Sequence, residues 1–143
     1  MYSTFLQVHS LFAYVVLATV LIATINAAIG FFVKREYGSK DLRIGLFALI
    51  FSHLQLLLGL ILYVVTPLIE NWKAGGVMKN SYIRQLLLEH PMMVIIGVVF
   101  ITIGWSLHKK QKTSNRAFGK IALFYALGLV CFLSRIPWSK WLA

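Results

Sequence analysis

The sequence has few charged residues, and acidic ones are the rarest among them. Asp and Glu together number 4 in 143 residues, and charged residues make up 13% of the chain, against about 25% in an ordinary soluble domain. Hydrophobic residues make up 59%, and the mean hydropathy is +0.80. This composition excludes a disordered chain, a coiled coil and an ordinary cytosolic enzyme, and it indicates a protein of the lipid bilayer.

Several groups that catalysis or metal binding would need are also missing. The single cysteine, Cys131, lies in an apolar stretch, where a thiol usually acts as a small apolar side chain. No Ser or Cys is visibly paired with a His and a carboxylate, so nucleophilic hydrolysis is poorly supported. Zinc needs three or four ligands close together, and the sequence shows no such cluster. No span has Gly or Pro breaking its middle, which argues against a transporter.

Four apolar stretches are each long enough to cross ~30 Å of hydrocarbon at ~1.5 Å per residue. They run over residues 6–33, 44–65, 86–107 and 117–134. The first stretch is too long for the core of a signal peptide and has no basic residue before Lys34, so we expect it to stay as a helix. The sequence therefore predicts an all-α fold, an integral membrane four-helix bundle that forms one domain over residues 1–143.

The basic residues divide unevenly between the two ends of this bundle. Nine flank the first and third connections: Lys34, Arg35, Lys40, Arg43, Lys109, Lys110, Lys112, Arg116 and Lys120. Five lie at the other end: Lys73, Lys79, Arg84, Arg135 and Lys140. The positive-inside rule then places the nine in the cytoplasm and both termini on the outer, periplasmic side of a bacterial inner membrane. Basic residues in short loops between membrane spans contact anionic lipid headgroups. This explains the net charge of +10, and we therefore expect no nucleic-acid partner.

Ionisable residues within membrane spans are candidates for function, and the spans contain a few histidines. The depth of each histidine follows from the number of residues between it and the end of its helix next to the basic loops, at ~1.5 Å per residue. On this count His53 lies ~15–20 Å from that end, His90 ~27 Å and His9 ~36 Å. His53 with His90 is one candidate pair, and His9 with His90 is another. His108 lies at a span boundary beside Lys109, so we expect it to be solvated and unable to pair.

Helical phase adds neighbours to these histidines. His90, Gly97 and Gly104 recur every seven residues and form one stripe. Its glycines leave room for a flat macrocycle or for a neighbouring backbone. Gln55 lies ~200° from His53 around the helix, so we expect Gln55 and Gly59 to form a helix–helix contact instead.

Other residues in the spans have structural interpretations. The row Ala23, Ala27 and Gly30 indicates helix packing. Glu89 is predicted to contact Arg135, or Arg135 to neutralise a haem propionate. Asn80 and Ser81 are predicted to cap a helix that extends the third span outward.

Haem b is the cofactor that best fits these residues. Neutral imidazole is a standard axial ligand, and facing helices of a bundle can hold both sides of the iron. A proton relay would use the same side chains. Each histidine also has a structural alternative: His53 and His90 as interhelical hydrogen-bonding residues, and His9 as an interfacial one.

Residues 52–63 (SHLQLLLGLILY) resemble the second helix of small bacterial four-helix membrane proteins catalogued as "cytochrome B". The resemblance covers nearly the whole chain. Its other matches are His9-Ser10, residues 78–81 (MKNS), Glu89-His90 with Met92-Met93, and residues 136–138 (IPW).

This resemblance implies b-type haem and electron transfer between membrane quinol and a redox partner, rather than conversion of a substrate. It implies His53 and His90 as axial ligands of the iron, with His9 as a third candidate. The fourth span has no histidine, so we expect one haem at most. A larger respiratory or membrane complex is the expected partner. The alternative is a haem-free accessory or scaffold subunit of such a complex.

Overall fold

The computed structural model describes residues 1–141, apart from the side chains of residues 139 and 140, and the described residues contain helices and no strand. The four long helices are α1 (Tyr2–Phe32), α2 (Ser39–Val65), α4 (His90–His108) and α5 (Ser114–Ser134). The shorter elements are a 3-10 helix (Pro67–Trp72), α3 (Ser81–Arg84), a π-helical turn (Gln85–Glu89) that joins α3 to α4, and α6 (Trp138–Trp141). Ala143, the terminal residue in the predicted topology, lies outside the described residues.

Four helical stretches of the described chain are long and apolar enough to cross a membrane: Tyr2–Phe32, Ser39–Val65, Ser81–His108 and Ser114–Ser134. The prediction of an all-α bundle with four such helices is confirmed. The helical stretches begin a few residues before the apolar stretches, and those that begin at Ser81 and Ser114 have an N-cap side chain, Asn80 or Thr113, that accepts from free backbone N–H groups. Asn80 accepts from the N–H groups of Tyr82 and Ile83, which confirms the predicted cap.

The four long helices form a ring in which α1 packs on α2 and α5, and α4 packs on the same two helices. Thus α1 and α4 stand at opposite corners of the bundle. The end with the connections 33–38 and 109–113 is called the basic end here. The end with the chain start, the connection 66–80 and α6 is called the cavity end.

Small residues let α1 and α5 approach closely. Ala23 and Ala27 are 1% and 2% exposed, and a Cβ on Gly30 would lie only 2.6 Å from the ring of Phe118. This row packs helices, as its sequence predicts.

Gly97 serves the same purpose between α4 and α5. A Cβ at Gly97 would lie 2.6 Å from the ring of Phe132 and 3.0 Å from the carbonyl oxygen of Gly128. The sequence allows two roles for Gly97, and the structure shows one of them, the close approach of a neighbouring backbone. The face of Gly97 that lacks a side chain is filled by α5, and Gly97 does not line the cavity at the cavity end.

His108 is buried at the basic end, so the expectation of a solvated boundary residue is wrong. It is 3% exposed. Its Nδ1 donates to the carbonyl of Trp105 at 2.6 Å, and its Nε2 accepts from the hydroxyl of Tyr37 at 2.9 Å. The main-chain N–H of Tyr37 donates to Ser114 Oγ at 2.9 Å. The first connection therefore folds over the end of α4 and removes the imidazole from solvent.

Candidate functional site: a histidine-lined cavity

A cavity of about 480 Å³ lies at the cavity end, mainly between α1, α2 and α4. Its volume is in the range of ligand pockets, ~300–1,000 Å³. Most of its lining is apolar, and its polar lining includes His9, Gln55, Tyr63 and His90. A mainly apolar cavity with a few convergent polar groups is the usual form of a small-molecule or cofactor site.

His9 of α1 and His90 of α4 meet in this cavity from opposite corners of the bundle. Their ring centroids are 6.4 Å apart, and the ring planes are inclined at 83°. The Nδ1 atom of each ring is buried and has no hydrogen-bond partner among the side chains and main-chain atoms that the structure describes. Leaving a buried polar atom unpaired costs free energy, so two such atoms at one place need an explanation.

Helix α2 positions His9 through two residues one helical turn apart. Gln55 Nε2 donates to the main-chain carbonyl of His9 at 2.8 Å. A Cβ on Gly59 would lie 3.3 Å from His9 Cε1, so the missing side chain makes space for the imidazole. The prediction that Gln55 and Gly59 form a helix–helix contact is confirmed. Gln55 Oε1 is also buried without a partner in the described part of the chain.

The backbone before His90 departs from α-helical geometry. The main-chain N–H of His90 donates to the carbonyl of Gln85, five residues back, and such π-turns occur frequently at functional sites. Pro91 has no N–H to donate to the carbonyl of Leu87. The hydroxyl of Tyr63 donates to that carbonyl instead, at 2.8 Å.

A second hydrogen bond fixes Tyr63 from outside the cavity. Trp72 Nε1 donates to the Tyr63 hydroxyl oxygen at 2.8 Å. The connection after α2 is thereby tied to the turn that carries His90. Sequence reasoning missed Tyr63, although the His90-Pro91 pair is a signal that a carbonyl four residues before the proline needs another donor.

Glu89, next to His90, is paired with two arginines. Arg84 Nε lies 3.0 Å from Glu89 Oε2, and Arg135 Nε lies 3.8 Å from Glu89 Oε1. The predicted Glu89–Arg135 contact is confirmed. Arg135 does not line the cavity, because its side chain turns to Glu89 and solvent.

The structure does not bring His53 to His90. His53 is exposed and does not line the cavity. Its Nδ1 donates to the carbonyl of Leu49 at 2.8 Å, and its Nε2 lies 3.2 Å from Thr102 Oγ1 on α4.

The physical reason is the phase of α2. The buried polar residues of α2 are Ser52 and Gln55, at 1% and 8% exposure. His53 is turned ~100° from Ser52 and ~200° from Gln55, and so it faces outward. His53 therefore makes an interhelical hydrogen bond with Thr102, which is the structural role that the sequence leaves open beside that of a haem ligand.

No group of three or more His, Cys, Asp or Glu residues among residues 1–141 is placed to hold a metal ion. The donor set at the cavity is a pair of imidazoles. A metal bound by His9 and His90 would therefore need most of its coordinating atoms from a group other than the protein.

Comparison of the chain with family models, curated proteins and solved structures gives no match. The class that the fold and the site define is a helical bundle with four membrane-spanning-capable helices and a histidine pair in an apolar cavity.

Proposed function

We propose that His9 and His90 would hold a single b-type haem in the cavity through their imidazole nitrogens. The observation that carries this proposal is the pair of imidazoles from α1 and α4, in edge-to-face contact and each with a buried, unpaired Nδ1. Metal–imidazole bonds are about 2 Å long, so two imidazoles that shared one metal ion would have ring centroids about 6 Å apart. The observed separation is 6.4 Å.

The number of ligands also favours haem over a bare metal ion. A haem would need at most two ligands from the protein, which is the number of histidines at the cavity. Structural zinc needs four protein ligands and catalytic zinc three. The apolar lining of the cavity suits a flat apolar cofactor.

When bound, the haem supplies one-electron redox chemistry. The residues of this chain hold and orient the two imidazoles: Gln55 and Gly59 for His9, and Tyr63 for the turn before His90. The proposed role is electron transfer between membrane quinol and a redox partner, within or beside a larger respiratory or membrane complex. No side chain at the site is assigned to bond chemistry on a substrate.

The proposed location is the bacterial inner membrane with both termini on the periplasmic side. The excess of basic residues at the basic end supports this orientation. A reporter fused after Ala143 is expected to be active in the periplasm. Activity in the cytoplasm would invert the orientation and would place the histidine cavity on the inner side.

A haem-free accessory subunit is the second candidate function. The interhelical hydrogen bonds from Gln55 to His9 and between His53 and Thr102 favour it, because such bonds also serve plain helix association. In that case the edge-to-face contact of His9 and His90 is a packing contact. Each histidine-to-alanine change would then leave a folded, slightly less stable protein.

A reduced-minus-oxidised spectrum separates the two candidates. The protein is produced with ample haem, purified in mild detergent and assayed for haem per chain. We expect one haem, and we expect His9→Ala and His90→Ala each to abolish or distort its spectrum. His53→Ala is the matched control and should keep the wild-type spectrum. No haem in the wild-type protein would overturn the proposal and leave the accessory subunit.

A further inference from the structure

A second cavity of about 420 Å³ lies at the basic end, where α1 finishes and α5 begins. Phe31 comes from α1, and Gln111 comes from the connection before α5. The remaining lining residues are Arg116, Gly119, Lys120 and Leu123 of α5. It shares no lining residue with the histidine cavity, so neither electron transfer nor haem explains it. We call it the basic groove.

The basic groove carries two cations with no acidic partner. Arg116 and Lys120 are four residues apart and so lie on one face of α5. Neither forms an ion pair within residues 1–141. The sequence contains no Asp or Glu after Glu89. Of the two carboxylates near the basic end, Asp41 is paired with Arg35 at 2.9 Å, and Glu36 forms no ion pair among the described residues. The groove therefore presents uncompensated positive charge.

Apart from Gln111, the rest of the basic groove is apolar and continues toward the middle of α5. Gly119 has no side chain to fill the groove, and a Cβ there would lie 3.2 Å from the ring of Phe31. Leu123 follows Lys120 by about one helical turn in the direction of the membrane interior, and it is 55% exposed. Along α5, the charged surface at the start of the helix is thus followed by apolar surface within two turns.

We propose that the basic groove binds one anionic phospholipid, with its phosphate against Arg116 and Lys120 and an acyl chain along Phe31 and Leu123. The guanidinium of Arg116 offers paired N–H donors to phosphate oxygens, and Lys120 adds a point charge. Basic pockets between transmembrane helices are suited to anionic headgroups. The order of charge and apolar surface along α5 matches the order of headgroup and chain in a phospholipid.

The test is native mass spectrometry of the delipidated full-length protein in detergent, titrated with single lipids. The lipids are phosphatidylglycerol and phosphatidylcholine with the same acyl chains, and inorganic phosphate is the competitor. We expect one phosphatidylglycerol to bind in preference to phosphatidylcholine. Millimolar inorganic phosphate should not displace it, because phosphate has no acyl chain. The double variant R116Q/K120Q should bind phosphatidylglycerol about 30-fold more weakly.

The matched control is K110Q/K112Q, which removes the same charge from exposed residues outside the groove. It should bind phosphatidylglycerol like the wild type. Equal weakening in both double variants would mean a diffuse basic surface and would overturn the site. Equal binding of the two lipids by the wild type, or displacement by inorganic phosphate, would overturn the assignment to an anionic phospholipid.

Discussion

Gln55 donates a hydrogen bond from Nε2 to the main-chain carbonyl of His9 at 2.8 Å. This bond joins α2 to α1 at the turn that carries one of the two cavity imidazoles. A helical carbonyl already accepts a bond from its own helix, so the side chain of Gln55 adds a second donor to the free lone pair. The bond fixes the depth of His9 relative to α2 without using the imidazole, whose Nδ1 has no hydrogen-bond partner among the described residues.

Replacing Gln55 by leucine should weaken the α1–α2 contact. The variant loses one interhelical hydrogen bond in a membrane bundle, and we expect the free energy of unfolding to fall by about 0.6–2 kcal/mol. Detergent titration followed by circular dichroism measures this change. Gln7→Leu is the control, because Gln7 is exposed and makes no side-chain hydrogen bond in the described residues. A Gln55 variant as stable as the Gln7 variant would contradict the prediction.

Tyr63→Phe should destabilise the cavity end. The change leaves the carbonyl of Leu87 without its donor and the indole N–H of Trp72 without its acceptor. An unpaired polar group in a buried place costs about 1–3 kcal/mol, and the unfolding free energy should fall by that amount.

Tyr14→Phe is the control for Tyr63, because the Tyr14 ring stacks on Trp141 at 4.6 Å and phenylalanine keeps that contact. The emission of Trp72 should also change in the Tyr63 variant alone. Equal unfolding curves for the two variants would show that the hydroxyl of Tyr63 carries no structural role.

Gly97→Ala should separate helix packing from cofactor binding. Its new Cβ meets the backbone of α5 at Gly128 as well as Phe132, and backbone cannot rotate away, so we expect a loss of about 1–3 kcal/mol. Gly45→Ala is the control, since the nearest atom to its Cβ would be at 3.4 Å. The haem content of folded Gly97→Ala protein should equal that of the wild type. A folded variant that loses haem selectively would return Gly97 to the cofactor site.

Tyr37 should make stability depend on alkaline pH. Burial, helped by the negative charge of Asp41, raises the pKa of Tyr37 to about 12 from its ordinary value of 10.0. A raised folded-state pKa contributes stability that is fully present below pH 10 and is lost as the pH rises through 12.

The unfolding midpoint of the wild type should therefore fall from pH 10 to 12, and that of Tyr37→Phe should fall less. Tyr14→Phe should keep the wild-type slope. Parallel pH profiles for wild type and Tyr37→Phe would contradict the prediction.

The structure places His90 beside His9, one of the two candidate pairs that the sequence allows, and leaves His53 outside the cavity. Counting residues along the spans allowed both His53 and His9 as partners of His90, because helix starts and tilts shift depth by several ångströms. The sequence places Gln55 and His53 on different sides of α2. It does not determine which of these two sides faces the interior of the bundle. His108 was misplaced because its burial depends on Tyr37, which reaches it from a connection 71 residues away in sequence.

Composition and hydropathy determined the four apolar helices, because a chain in lipid must satisfy its backbone hydrogen bonds within each segment, and that requirement is local. Which corners of the bundle the helices occupy, and hence which imidazoles meet, was decided only by tertiary packing. Close contacts such as those of Gly30 with Phe118 and Gly97 with Phe132 set the rotation of each helix, and they join residues far apart in the chain.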